Sequence, residues 1–199
     1  MKFYTKVFIL SISLIIGGNI FYIKSASLPV TPFFLWLLSS ILVCGLSSGI
    51  ITLITRMLPR KWFNPFSKRF KVYSKENKIY LKLKIKKWKD KIPELGKLSG
   101  FPKDKIEKPD NSEYLYKFLT ETCLAETLHF FSIISGSLVF FILPRTYIFT
   151  IGVPIFVLNM FIHLLPVLVQ RYVRPKLIKM YSRMKKIEEK DEEELVKTN

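Results

Sequence analysis

Three ionisable side chains, Glu121, Glu126 and His129, stand in a stretch that is otherwise apolar. Read as an α-helix turning about 100° per residue from Glu121, it puts Thr122 at about 100°, Glu126 at about 140°, His129 at about 80° and Ser132 at about 20°. All five share one face. Glu126 and His129, three residues apart, can touch. Two carboxylates and an imidazole on one face are the material for acid–base chemistry: the ring moves a proton, and a carboxylate fixes its tautomer and stabilises the imidazolium. A second stripe, Asn159, His163, Pro166 and Gln170, falls within a sector of about 60° by the same arithmetic. The competing reading is packing, since polar side chains hydrogen-bond membrane helices together. It suits Asn159 and His163 taken singly, but three ionisable groups on one face exceed what packing needs. Glu126, His129 and His163 also raise a metal site. The Glu-x-x-His spacing of carboxylate metal sites comes there in two copies, and this chain has one, so no metal is expected.

The elements that must hold these residues follow from how charge is segregated. Of 199 residues 49% are hydrophobic, yet 32 Lys and Arg face 15 Asp and Glu, a net charge of +17. Four runs, at about 5–23, 33–58, 118–144 and 147–170, are nearly free of charge, and an apolar run of about 18 residues or more can cross a bilayer as a helix. That leaves no material for a large soluble core and excludes a secreted globular protein, a disordered chain and a typical soluble enzyme. The expected fold is an all-α integral membrane protein with four transmembrane helices and a basic cytoplasmic segment between the second and third. Its parts are an N-terminal transmembrane hairpin (1–58), a basic interfacial segment (59–117), a transmembrane hairpin carrying the polar site (118–170) and a charged tail (171–199). Lys2, Lys6 and the small residues 25–27 resemble a signal peptide, but another span follows, so a retained helix is expected. Cys44 and Cys123 both lie in apolar runs and imply no disulfide framework.

From Arg56 to Lys117 the chain holds 19 Lys and Arg against 7 Asp and Glu, and the tail from Arg171 holds 9 against 6. Basic flanks stay inside, so both termini and the central segment are expected on the cytoplasmic face of the cell membrane. At about 1.5 Å per residue, Glu126 and His129 then lie roughly 12–17 Å from Phe118, and His163 roughly 10 Å from Gln170, at comparable depth in the inner half of the bilayer. Trp62, Phe63, Phe66 and Phe70 interleave with basic residues as at a headgroup boundary. Ile79 to Ile85 alternates apolar residues with lysines, which reads as a short strand or a surface helix. Pro166 should kink the fourth span. Anionic lipids account for the basic excess. No nucleic-acid-binding motif appears, so nucleic acid is not an expected partner.

Three stretches in this order and spacing resemble a known family. They are Lys87-Trp88-Lys89 with Lys91-Ile92; Glu121-Thr122 with Ala125-Glu126 and His129; and Gln170-Arg171-Tyr172 with Arg174-Pro175 and Leu177. Together they resemble the glycosyl-4,4′-diaponeurosporenoate acyltransferases of staphylococcal carotenoid (staphyloxanthin) biosynthesis. The resemblance implies transfer of a fatty acyl group to a sugar hydroxyl of a membrane glycolipid, a carotenoid glycoside or a related lipid. It places Trp88, Lys89, Glu121, Glu126, His129, Gln170, Arg171 and Arg174 on the family's pattern. The chain departs at His163 and Leu164, where the carotenoid enzyme has an apolar residue and an asparagine, and this bears on the acceptor rather than the reaction.

For that chemistry His129 is the expected base and Glu126 its partner, with Glu121 in the same catalytic group and no covalent intermediate required. Asn159, His163 or Arg171 would face the oxyanion. Arg171 and Arg174 would grip the phosphates of an acyl carrier, and Trp88, Lys89 and Gln170 complete the expected substrate-binding set. No bound cofactor is expected. The co-substrate would be an acyl-carrier thioester or a lipid acyl donor, delivered by an acidic acyl carrier protein or as acyl-CoA. The alternative is a non-enzymatic membrane adaptor that binds anionic lipid or a partner protein through its basic face, which leaves Glu121, Glu126 and His129 unexplained.

Overall fold

A computed structural model describes residues 2–25, 30–92 and 106–198. The chain is helical, and among the described residues there is no strand. Four stretches are long and apolar enough to cross a membrane: Thr5–Ser25, Val30–Met57, Ser112–Ile142 and Arg145–Glu194. The first two are α1 (Lys2–Ser25) and α2 (Val30–Met57). Both are rich in Leu, Ile and Phe and become helical because a bilayer offers a backbone no partner but its own carbonyls. Pro32 sits in the first turn of α2, where a missing N–H costs nothing, and Lys24 and Arg56 stand in the last turns of α1 and α2, where the helix dipole favours a cation.

The basic segment folds as short helical pieces. Two 3₁₀ turns, Arg60–Phe63 and Lys68–Phe70, precede α3 (Ser74–Lys82) and α4 (Ile85–Trp88). The alternation from Ile79 to Ile85 is thus a helix and a turn. Glu76 sets its start by accepting the Tyr73 N–H at 3.4 Å, and Lys84 ends it in the left-handed region at φ 52°.

The third span begins at α5 (Ser112–Ser135), capped by Asn111, whose Oδ1 accepts the Tyr114 N–H at 2.6 Å. A 3₁₀ turn leads into α6 (Val139–Ile142), which ends where Leu143 turns extended ahead of Pro144. The fourth span is α7 (Arg145–Tyr147), a π turn over Ile148–Gly152, and α8 (Val153–Thr198). α8 runs as one helix through Pro166 and Pro175, so the charged tail continues the span.

The chain forms two compact units that cut across these segments. One holds Met1–Leu58, Lys91–Pro93 and Thr127–Val167; the other holds Pro59–Asp90, Glu94–Glu126 and Leu168–Asn199. In the first, Phe33, Leu37, Val139, Leu143, Tyr147 and Ile151 form the buried cluster. Outward residues such as Leu14, Phe21, Leu35, Leu46, Leu53 and Phe141 are exposed, as lipid-facing positions would be. Asn19 donates to Ile15 O and, at 2.9 Å, to Thr150 O in the π turn, so a polar side chain ties α1 to the fourth span. In the second unit Tyr80, Ile85 and Tyr172 form one cluster, with Trp88 against it, and Phe118, Leu119 and Leu177 form another.

Candidate active site

Two polar clusters contain most of the expected site residues, one in each unit. In the unit of Pro59–Asp90, Glu94–Glu126 and Leu168–Asn199, the cluster is ionic. Arg171 reaches from α8 with all three guanidinium nitrogens engaged. Nη1 donates to Glu126 Oε1 at 2.6 Å, Nη2 to Glu76 Oε2 at 2.9 Å and to Lys71 O at 3.1 Å, and Nε to Glu76 Oε1 and the Tyr80 hydroxyl. One turn on, Arg174 is fully buried. Its Nη1 lies 2.6 Å from Glu126 Oε2, an ion pair outside hydrogen-bond geometry, and donates to Phe70 O at 3.1 Å. Its Nε donates to Thr122 Oγ1 at 3.2 Å, and the guanidinium carbon stands 5.4 Å from the Phe70 ring centroid. Glu121 is buried and pairs at 2.6 Å with Arg60, whose side chain is 55% exposed, an arm reaching in from the surface. Three arginines thus meet three carboxylates.

Burial works against the Glu76 carboxylate, but hydrogen bonds from Arg171 and Tyr80 outweigh it and hold Glu76 below the ordinary carboxylate range. Burial, with the Glu76 carboxylate beside it, pushes the Tyr80 phenol up. Tyr80 therefore stays a donor to Glu76 at any physiological pH.

The same unit holds the other expected binding residues. Trp88 packs on the Tyr80–Tyr172 cluster and donates Nε1–H to Leu83 O at 3.0 Å. Lys89 pairs with Asp90, and Gln170 is buried on α8. An open groove of about 510 Å³ is floored by Phe66, Tyr116 and Tyr181, with Lys185 and Lys186 at its edge.

In the unit of Met1–Leu58 and Thr127–Val167 the cluster centres on two imidazoles. His129 Nδ1 lies 3.0 Å from His163 Nδ1, with the ring centroids 5.3 Å apart. One proton can sit between those nitrogens, so the two rings are tautomerically coupled. His163 Nε2 continues the chain to Ser48 Oγ at 3.3 Å. Beside it Ser47 Oγ meets Ser135 Oγ at 3.1 Å, and Asn159 donates to Ser132 O at 3.0 Å. Gly136 permits that approach: a Cβ there would stand 2.3 Å from Asn159 Nδ2. Among the described residues no three His, Cys, Asp or Glu side chains group as metal ligands.

The sequence pattern names Glu126 as the partner of His129; in the structure the Glu126 carboxylate faces Arg171 and Arg174, and the ring that meets His129 is His163. Arg171, expected to grip donor phosphates, spends all three nitrogens on protein acceptors, and Arg174 spends Nε and Nη1 while its buried Nη2 meets no acceptor among the described residues. Sequence reasoning missed Ser48, Glu76 and Tyr80. Glu76 had a signal, as the only acidic residue between Arg56 and Lys89; Ser48 had none to set it apart from Ser39, Ser40 and Ser47 on the same helix.

A profile of the glycosyl-4,4′-diaponeurosporenoate acyltransferases matches residues 59–183, more than half of the chain. The chain belongs to that family. Membership implies, at the level of the family, an acyltransferase with an acyl donor and a glycolipid acceptor. The matched residues contain the whole ionic cluster and both histidines, while Ser48 lies outside them. No curated protein and no solved structure matches the chain.

Proposed function

We propose that this protein is a cell-membrane acyltransferase that moves a fatty acyl group onto a sugar hydroxyl of a membrane glycolipid, with the His129–His163 pair as its acid–base group. Family membership over residues 59–183 carries the reading. The hydroxyl must lose a proton as it attacks the acyl carbonyl, and a neutral imidazole hydrogen-bonded through its second nitrogen is suited to take it. Glu121 and Glu126 act as positioning residues, tying α5 to Arg60, Arg171 and Arg174.

Since Arg171 is fully engaged and Arg174 fully buried, the phosphates of an acyl-CoA or acyl-carrier donor would meet the groove of Phe66, Tyr116 and Tyr181, where Lys186 stands beside Lys185 and its ion-pair partner Glu189. Trp88, Lys89 and Gln170 complete the proposed substrate-binding set. Both termini and residues 59–117 would be cytoplasmic, which puts the dense basic clusters on the side where the donor is made. Cysteine labelling near Lys97 and near Ser27 should then react from opposite sides of the membrane.

The test is lipid profiling of cells with and without the intact gene, followed by turnover of the purified protein. Loss of one acylated glycolipid with build-up of its deacylated form supports the reading. An unchanged glycolipid profile overturns it.

A further inference from the structure

We infer that Ser48 is a nucleophile that carries the acyl group covalently between donor and acceptor, so that Ser48, His163 and His129 act as a hydroxyl–imidazole–imidazole relay. The inference rests on the acyl-transfer reading above. An activated hydroxyl is recognised by a base within hydrogen-bond reach and by a third group that orients that base. Ser48 Oγ lies 3.3 Å from His163 Nε2, and His163 Nδ1 lies 3.0 Å from His129 Nδ1. With Ser48 as donor, the tautomers follow: His163 carries its proton on Nδ1 and gives it to the Nδ1 lone pair of His129, whose own proton is then on Nε2.

Ser48 also differs from its neighbours on α2. Ser39, Ser40, Ser47 and Thr52 turn their hydroxyls back to carbonyls of their own helix, at 2.8, 2.8, 3.2 and 2.8 Å. That is how a hydroxyl in a membrane helix satisfies itself. Ser48 points its oxygen at an imidazole 115 residues away. Access is open as well. Ser48 is half-buried, and added Cβ atoms at Gly45 and Gly49 would meet nothing within 4 Å. Gly45 and Gly49, both exposed, stand about 60° and about 100° round α2 from Ser48 and open one side of it, whereas the exposed Leu46, Ile50 and Leu53 lie on the far side of the helix and Cys44 and Thr55 bury the near one. Ser48 stands outside residues 59–183, so the assignment is to this chain and not to its family.

The two half-reactions balance without oxidant or metal. Ser48 Oγ bonds to the acyl carbonyl carbon as its proton passes to His163 Nε2. The donor's thiol or alkoxide then leaves and takes that proton. In the second half the sugar hydroxyl attacks the acyl carbon of the Ser48 ester and gives its proton to His163 Nε2. Ser48 Oγ leaves and recovers it. His129 keeps the ring in register and stabilises the transient imidazolium.

The experiment incubates the purified full chain in detergent with p-nitrophenyl palmitate and no acceptor, then reads intact mass and the modified peptide. A gain of one palmitoyl group on Ser48 is expected. Ser48→Ala and His163→Ala should lose the adduct, and Ser48→Cys should keep it as a hydroxylamine-labile thioester. Ser39→Ala, on an exposed turn of the same helix, should behave as wild type. If Ser48→Ala is folded and keeps more than about a tenth of wild-type glycolipid acylation, transfer is direct and the relay is overturned, with the acyltransferase reading intact. If acyl-Ser48 forms but no glycolipid acceptor discharges it, the acceptor reading falls and the nucleophile stands.

Discussion

The two polar clusters solve the problem of ionisable groups in a membrane protein in opposite ways. Around Arg171 and Arg174 every charge is opposed. Glu76, Glu121 and Glu126 balance Arg60, Arg171 and Arg174, and the bonds to Lys71 O and Phe70 O take up further donors. The network joins α3, α5 and α8 through charged side chains. Around His129 and His163 the ring nitrogens and the Ser48 hydroxyl form a chain in which each imidazole can donate or accept according to its tautomer. Breaking a buried ionic cluster strands a charge, which ties it to the folded structure. A coupled pair of imidazoles is where a proton can travel. The proposed division therefore gives proton transfer to the histidines and structural order in their own unit to the arginines and glutamates.

The largest expected effect falls on the histidines. His129→Ala and His163→Ala should each lower acyl transfer per molecule by about 10²–10⁴-fold, the usual worth of a positioned acid–base group, with near-normal amounts of protein in the membrane. Turnover assays on purified variants check this. Activity loss that tracks lost protein would instead make the histidines structural.

Next come the arginines. Arg174→Ala should cost about 3–5 kcal/mol, because Glu126 and Thr122 lose a fully buried partner. Membrane abundance and thermal unfolding in detergent should fall before any kinetic constant is measured, and Glu126→Gln should move the same way. A folded, abundant Arg174→Ala that fails only in donor affinity would return this arginine to substrate binding and dissolve the contrast.

Gly136→Ala sharpens the comparison from the other side. A Cβ 2.3 Å from Asn159 Nδ2 must displace the amide, an overpacking cost of about 1–3 kcal/mol in the histidine-bearing unit, seen as a lower unfolding temperature.

The smallest effect is titration of Glu76. Its folded-state value is below the ordinary 4.5, so its contribution is fully present above that value and is lost as pH falls through the lower one. Unfolding temperature should therefore drop on acidification below about pH 4.5, and Glu76→Gln should flatten that slope. Tyr80→Phe, which removes one donor to the same carboxylate, should cost about 1 kcal/mol.

What the sequence by itself determined was composition and period. Length and hydrophobicity of the four runs are local quantities, so the four apolar helices were legible, as was the common face of Glu121, Thr122, Glu126, His129 and Ser132 on α5. The family was legible too, because its motifs are spacings along the chain. Partners were decided only in three dimensions. The pattern brought Glu126 to His129 by proximity along one helix, whereas the fold supplied Arg171, 45 residues on, and set His163 against His129 across 34 residues. Helical period says which residues share a face; it does not say which side chain of another helix stands opposite. The strand-or-helix choice at Ile79–Ile85 was settled the same way, by Tyr80 burying against Ile85 and Tyr172 and by Arg171 taking hold of Glu76. Ser48 is the clearest case: four serines on α2 look alike in sequence, and the imidazole of His163 meets one of them.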